Sequence, residues 1–347
     1  MKGKIWFVML CGLLMISKST AVQAQDIHFS QFYETSILRN PALTGVFQGD
    51  YKVGAFYRSQ WSSIANPYQT AMVTAEMRFG VGKSVTDFLS FGLLSYYDRA
   101  GSLNMQTLAL YPSVNYSKAL NAEHHRYLSV GFTGGYLQRS YDPGAATFNN
   151  QYQSGQYDPS NPSGENLPNP KISNYDLGAG ISYSSTTGNE EHITYYVGAS
   201  GYHFTEPKQS FYNNNLIKLQ MKWNGNAGMT MKMSENSGLQ LHANYMVQGT
   251  YQEIMLGGLL SWNKRTSIND EGRFAVYGGI FYRVNDALIP TVKIEFGNYA
   301  ISGSYDVNVS SLSAASSMRG GYEMSFFITG LFHAYEGTSK QTICPKF

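Results

Sequence analysis

The sequence predicts an all-β protein: a transmembrane antiparallel β-barrel of about fourteen strands with an N-terminal hatch segment. Three observations predict it. Only 14% of the residues are charged, against about 25% in an average soluble domain. Aromatic residues reach 14%, with 27 tyrosines, yet no apolar run could form a spanning helix, which needs about 20 residues. Period-two alternation recurs in segments of about ten residues, the length of a tilted membrane strand and about twice that of a soluble one.

The N-terminus sets the expected compartment. Met1–Lys4 carry two lysines, Ile5–Ile16 form a short, mostly apolar stretch, and Ala21-Val22-Gln23-Ala24 ends in small residues. That order is expected of a signal peptide, residues 1–24, cut before Gln25. Cys11 has no small residues just ahead of it, which argues against lipoprotein processing. Removing Lys2, Lys4 and Lys18 leaves 22 of the 25 basic residues against 23 acidic ones. With no polybasic arm, nucleic acid is not an expected partner. The mature chain keeps one cysteine, Cys344, so no internal disulfide is expected.

The alternation assigns faces. Leu288, Pro290, Val292, Ile294 and Phe296 interleave with Ile289, Thr291, Lys293 and Glu295, and Leu239–Gln248 and Gln69–Phe79 repeat the pattern. Fourteen such segments begin near Tyr51, Gln69, Phe88, Leu103, Tyr127, Asn174, Ile193, Trp223, Gly238, Gln252, Phe274, Ala287, Tyr299 and Gly320, the last ending near Phe332. An even number suits a single-chain bacterial barrel with both termini in the periplasm. The two long connections, Tyr141–Ser173 and His203–Lys222, are the fifth and seventh, and both fall on the extracellular side, where such barrels carry long loops. The expected organisation is a signal peptide (1–24), a hatch (25–50), a barrel (51–332) and a periplasmic tail (333–347). The hatch is inferred because Phe29, Phe32, Tyr33, Ile37, Leu38 and Leu43 need burial, and a fourteen-stranded barrel has room inside.

Enzyme signatures are absent. There is no G-x-S-x-G, G-x-x-x-x-G-K-[ST], H-E-x-x-H or C-x-x-C. No catalytic residue, cofactor or metal ligand is therefore nominated. His124-His125 falls in a turn, and Glu76, Arg78, Lys293, Glu295 and Glu323 point inward as lumen ion pairs. The chemistry-bearing region is the loop Tyr141–Ser173, with its run Asp158-Pro159-Ser160-Asn161-Pro162-Ser163-Gly164-Glu165. Pro, Gly and Asx residues stiffen loops, and long structured loops tend to be functional. Asp158, Asn161 and Glu165 lack the spacing of an EF-hand. Rigid aromatics on such loops suit a docking surface. The residues assigned to it are Tyr152, Tyr157, Asp158, Pro159, Pro162, Gly164 and Glu165, with Phe211 and Tyr212 on the second loop.

Several segments resemble one family throughout the mature chain. They are Gln25-Asp26-Ile27-His28-Phe29-Ser30-Gln31-Phe32, Asn40-Pro41-Ala42-Leu43-Thr44-Gly45, Tyr57-Arg58-Ser59-Gln60-Trp61 and the Asp158–Glu165 run. To these add Ser304-Tyr305-Asp306-Val307-Asn308, Ser310-Ser311-Leu312, Arg319-Gly320-Gly321-Tyr322-Glu323 and Cys344-Pro345-Lys346-Phe347. Together they resemble the PorP/SprF family of type IX secretion membrane proteins. Ile64-Ala65-Asn66-Pro67 departs from the Gly-rich stretch expected there. The resemblance implies a non-enzymatic protein of the bacterial outer membrane, in contact with its lipid, within the type IX secretion and gliding machinery. Its implied partners are a secreted or surface-anchored cargo protein and components of the periplasmic secretion ring. A diffusion channel or hydrophobic-solute transporter is the alternative reading of the same barrel, and an outer-membrane hydrolase a third.

Overall fold

The computed structural model describes residues 26–62, 66–81, 87–121, 126–165, 169–187, 192–212, 214–263, 274–311 and 313–332. The expected signal peptide, His124-His125, Leu312 and the tail with Cys344 lie outside them, as does most of the tenth connection. Among the described residues, fourteen antiparallel strands close into one barrel. They are β1 (Tyr51–Gln60), β2 (Tyr68–Val81), β3 (Asp87–Ala100), β4 (Met105–Asn121), β5 (Arg126–Ser140), β6 (Lys171–Thr187) and β7 (Ile193–Tyr202). The second half comprises β8 (Lys222–Lys232), β9 (Ser237–Gln248), β10 (Tyr251–Asn263), β11 (Phe274–Arg283), β12 (Ala287–Phe296), β13 (Tyr299–Asn308) and β14 (Arg319–Gly330). Each strand pairs with its chain neighbour, and β1 closes on β14 from Tyr51↔Gly330 to Gln60↔Gly321. Closure satisfies every edge, as a strand structure in lipid requires.

The faces follow the alternation. Val292 is 54% exposed on the outside, while its neighbour Thr291 is 3% exposed within. Outward aromatics gather at the two ends of the barrel. Tyr57 and Tyr322, Tyr136 and Tyr175, and Phe204 and Trp223 pair near the long-loop end. Phe79 and Phe332 stack, and Tyr299 stacks on Phe326, near the end that holds both chain ends of the barrel. Two such girdles mark the headgroup levels of an outer-membrane barrel. Pro112 and Pro290 sit on the outer face within strands. The register with the next strand skips each of them, Leu110↔Tyr136 being followed by Ser113↔Thr133 and Leu288↔Val307 by Thr291↔Ser304. A residue without an N–H leaves such a gap in the ladder.

The strand starts match the sequence reading to within three residues. The largest difference is at β6, which begins at Lys171 rather than Asn174, so the fifth connection ends at Pro170. Lys171-Ile172-Ser173 continues the ladder opposite Ser140, Arg139 and Gln138. A strand that projects beyond lipid needs no apolar stripe, so alternation does not mark its end.

The lumen is filled by residues 26–50. The segment makes a 3₁₀ turn (Phe32–Glu34), one helical turn, α1 (Ser36–Arg39), and a second 3₁₀ turn (Pro41–Leu43). It threads the barrel from end to end. Asp26 N–H donates to Gln248, the last residue of β9, at the long-loop end, and Asp50 N–H donates to Gly330 O at the opposite end. Phe29 and Ile37 pack with Phe56, Met72, Leu94 and Phe327, and Phe32 packs with Met255, Leu259, Phe281 and Ile289. Each such side chain contributes about 1.5–3 kcal/mol when fully shielded. Midway, the Asn40 amide donates to Ile181 O at 3.1 Å while its oxygen caps Ala42 N at 2.9 Å. Gly131 and Gly180 permit this approach, because a Cβ at either would fall 2.3 Å or less from Pro41 or Asn40.

Candidate functional site: the braced loops and the lumen clamp

The fifth connection folds on itself. Tyr152–Gln153 and Gln156–Tyr157 form a minimal hairpin, which places Tyr152 opposite Tyr157 with 60% and 45% of their surfaces exposed. Gln151 is the core of the loop. It is buried, its amide donates to Pro159 O and Asn161 O, its side-chain oxygen accepts from Phe148 N, and its backbone carbonyl accepts from Asp158 N. The Asp158 carboxylate accepts from Ser160 N at 2.9 Å and Ser160 Oγ at 2.6 Å, an Asx turn. Those two hydrogen bonds hold its pKa below the ordinary carboxylate value. Gly164 has φ +74° and lies against Asn150, which donates to Ser163 O at 3.0 Å. Pro162 and Glu165 are exposed beside it.

The seventh connection is braced to the fifth. Phe211 packs edge-on against Tyr141 at 4.7 Å, and Asn174 donates to Lys208 O at 2.8 Å. Arg139 adds a short hydrogen bond to Gln209. Phe211 is thus half-buried and braces the two loops, because an aromatic at the foot of two adjacent loops packs on the neighbouring ring. Tyr212 stays 58% exposed, joined by Leu216 at 89% and Ile217 at 51%. The sequence reading singled out only Phe211 and Tyr212 on this loop and missed the latter two. The signal was an apolar Leu-Ile pair directly after an Asn run.

A second group, inside the lumen, went unrecognised as a unit. Arg58 and Arg283, each 3% exposed or less, face Asp306, Glu323 and Glu253. Arg58 meets Asp306 and Glu323 at 3.2 Å each, and Arg283 meets Asp306 at 3.1 Å and Glu253 at 3.5 Å. The threading segment is part of this network. Glu323 accepts from the backbone N–H groups of Ser30 at 2.6 Å and Gln31 at 2.9 Å. Arg58 also donates to His28 O. Toward the opposite end, Glu34 accepts from Lys52 at 3.0 Å and Lys293 at 2.6 Å. The inward ions expected from sequence therefore do pair, though Glu76 instead accepts from Gly45 N at 2.8 Å and from Ser36.

At the rim near the long loops, His203 holds the start of the segment. Its Nδ1 lies 2.6 Å from Asp176 and its Nε2 3.3 Å from Asp26, while Lys222 also reaches Asp26. His203 has φ +62°, a left-handed backbone that is uncommon outside glycine. Burial disfavours its positive charge, but the hydrogen bonds to Asp176 and Asp26 prevail and raise its pKa above the ordinary value.

These geometries hold a segment in the lumen and present loops at one end of the barrel. A family model, the type IX secretion system membrane protein PorP/SprF, matches residues 21–326. No curated protein matches the chain. Among solved structures it is similar to the CymD monoaromatic hydrocarbon channel, with 10% identity, a TM-score of 0.48, and 86% of this chain and 94% of that one covered. It is similar also to a Pseudomonas aeruginosa FadL homologue, with 10% identity, a TM-score of 0.46, and coverage of 85% and 93%. Similarity at that level says nothing about what this chain binds or transports. The match over residues 21–326 shows that the chain belongs to the PorP/SprF family of type IX secretion system membrane proteins and is an outer-membrane component of that system.

Proposed function

We propose that the protein is a non-enzymatic docking component that supports the export or surface anchoring of a partner surface protein within the type IX secretion and gliding machinery. The observation that carries this reading is the pair of braced loops, which stand on a barrel whose lumen is threaded from Asp26 to Asp50. A filled lumen favours work at the barrel's ends over passage through it. The loop that holds Tyr152, Tyr157 and the Asp158–Glu165 run is ordered by its own hydrogen bonds, so docking there loses little conformational freedom. With the long loops outside the cell, the partner meets this surface after crossing the membrane. The opposite end is left for periplasmic ring components.

Replacing Asp158–Glu165 by a Gly/Ser linker of equal length tests the reading. The variant should reach the outer membrane at normal abundance while its cognate surface protein is lost from the cell surface. Unchanged surface display at equal barrel abundance would remove this loop as the docking element.

A further inference from the structure

A cavity of about 290 Å³ lies between the threading segment and the wall near the end of the barrel that holds both its chain ends. Gln48, Lys232, Ser234, Glu235 and Thr329 form its mouth. Deeper in, Arg39 is 7% exposed and among the described residues meets no carboxylate. Its Nη1 donates to the Tyr196 hydroxyl at 2.6 Å, its Nη2 reaches Tyr33 O at 3.5 Å, and its Nε has no partner. Three further groups on the same cavity wall are also unpartnered: the Tyr33 hydroxyl, the Thr230 hydroxyl and both ring nitrogens of His242. His242 is itself 7% exposed and stacks on Tyr33 at 5.1 Å. A buried polar group left without a partner is costly, and here four side chains concentrate that cost on one cavity.

From this arrangement we infer that the cavity binds a carboxylate, seated on Arg39 and reached by Tyr33, Thr230 and His242. The other ions on the wall do not compete for Arg39. Glu34 is engaged by Lys52 and Lys293, Lys293 also meets Glu295 at 3.1 Å, and Glu76 accepts from Gly45 and Ser36. One unmatched guanidinium with neutral donors around it suits a monoanion. A phosphate dianion would add charge beside Glu34, Glu76 and Glu295, where Lys52 and Lys293 are already engaged and, among the described residues, only Lys232 at the mouth is left to meet it. The volume falls at the small end of ligand pockets, about 300–1,000 Å³. It therefore suits an acid the size of one amino acid, either free or as the last residue of a peptide.

Titration calorimetry on the full-length folded barrel in detergent tests this with sodium benzoate, benzamide and inorganic phosphate. N-acetyl-alanyl-phenylalanine and its C-terminal amide separate the two sources of carboxylate. Benzoate or the peptide acid should bind saturably at one site, and benzamide, the peptide amide and phosphate should not. Binding of the peptide acid alone identifies a chain terminus as the ligand, and binding of benzoate alone a free acid. Arg39→Gln should weaken the bound acid at least tenfold. His242→Phe keeps the ring stack, removes both nitrogens and should weaken binding severalfold, which guards against misreading an Arg39 variant with a displaced segment. No saturable binding of either acid, or equal affinity in wild type and both variants, would overturn the inference.

Discussion

The Ser30 hydroxyl donates to Asp306 at 2.6 Å and accepts from Arg283 at 2.6 Å, so one side chain of the threading segment closes a contact between β13 and β11. The residues that hold Ser30 are also those that neutralise one another, which makes the ion network and the filled lumen a single structure.

Asp306→Ala should release the segment locally. Removing one member of a buried ion network leaves its partners with too few opposite charges, at a cost of up to about 3–5 kcal/mol, less here because Arg58 keeps Glu323 and Arg283 keeps Glu253. Arg58 and Arg283 would both lose Asp306. Hydrogen exchange at residues 28–31 should accelerate while the strand amides stay protected. Unchanged protection at 28–31 would mean that apolar packing alone holds the segment.

Deleting residues 26–44 should leave a barrel that folds, because the closing ladder between β1 and β14 begins only at Tyr51. The lumen loses its filling, so the variant should conduct ions in planar bilayers where the intact protein is silent. Conductance equal to wild type would show that the segment does not seal the pore.

The outer face should be sensitive to charge. Val292→Arg places a cation in the lipid belt and should cost about 2–4 kcal/mol near the midplane, measured by reversible unfolding from lipid. Thr291→Ser, one residue away but inside, should cost well under half of that. Equal losses at both positions would contradict the register.

The rim latch should weaken with rising pH. His203 has a folded-state pKa raised above its ordinary value of 6.5, so its contribution is complete below that value and is lost as the pH climbs through the raised one. Lys222 still holds Asp26 at that point, so the start of the segment should loosen without leaving. Exchange at Ile27 and His28, corrected for intrinsic base catalysis, should rise across that window. In His203→Gln the dependence should be flat.

Gln151→Ala should unravel the fifth connection. Three side-chain hydrogen bonds go, and the Phe148 N–H loses its acceptor, each at a net cost of about 0.5–1.5 kcal/mol. Protease cleavage within residues 152–165 should become faster with no change in barrel stability. Resistance equal to wild type would mean that the hairpin alone orders the loop.

Much of the barrel was legible because face assignment is local. Lipid outside and a filled lumen inside force Val292 and Thr291 apart with a period of two, and fourteen stripes of that kind can be counted directly in the sequence. The long loops and the exposed pair Tyr152 and Tyr157 were legible for the same reason, since turn chemistry is written in neighbouring residues. Alternation failed where its cause ends: β6 continues to Lys171 beyond the lipid, and no stripe marks it. The lumen contacts were hidden more deeply. Arg58, Asp306 and Glu323 each stand in a recognisable stretch of sequence, but only closure of β1 on β14 sets Arg58 opposite Glu323 and next to Asp306. Ser30 then finds partners more than 250 positions away. The same holds for Arg39 and His242, and for Phe211, whose ring is covered by a tyrosine from another loop. Sequence determined which way each strand residue points, because that depends on the solvent at each face. Tertiary structure decided what the inward residues meet, because that depends on the register in which the barrel closes and on the path of the segment threaded through it.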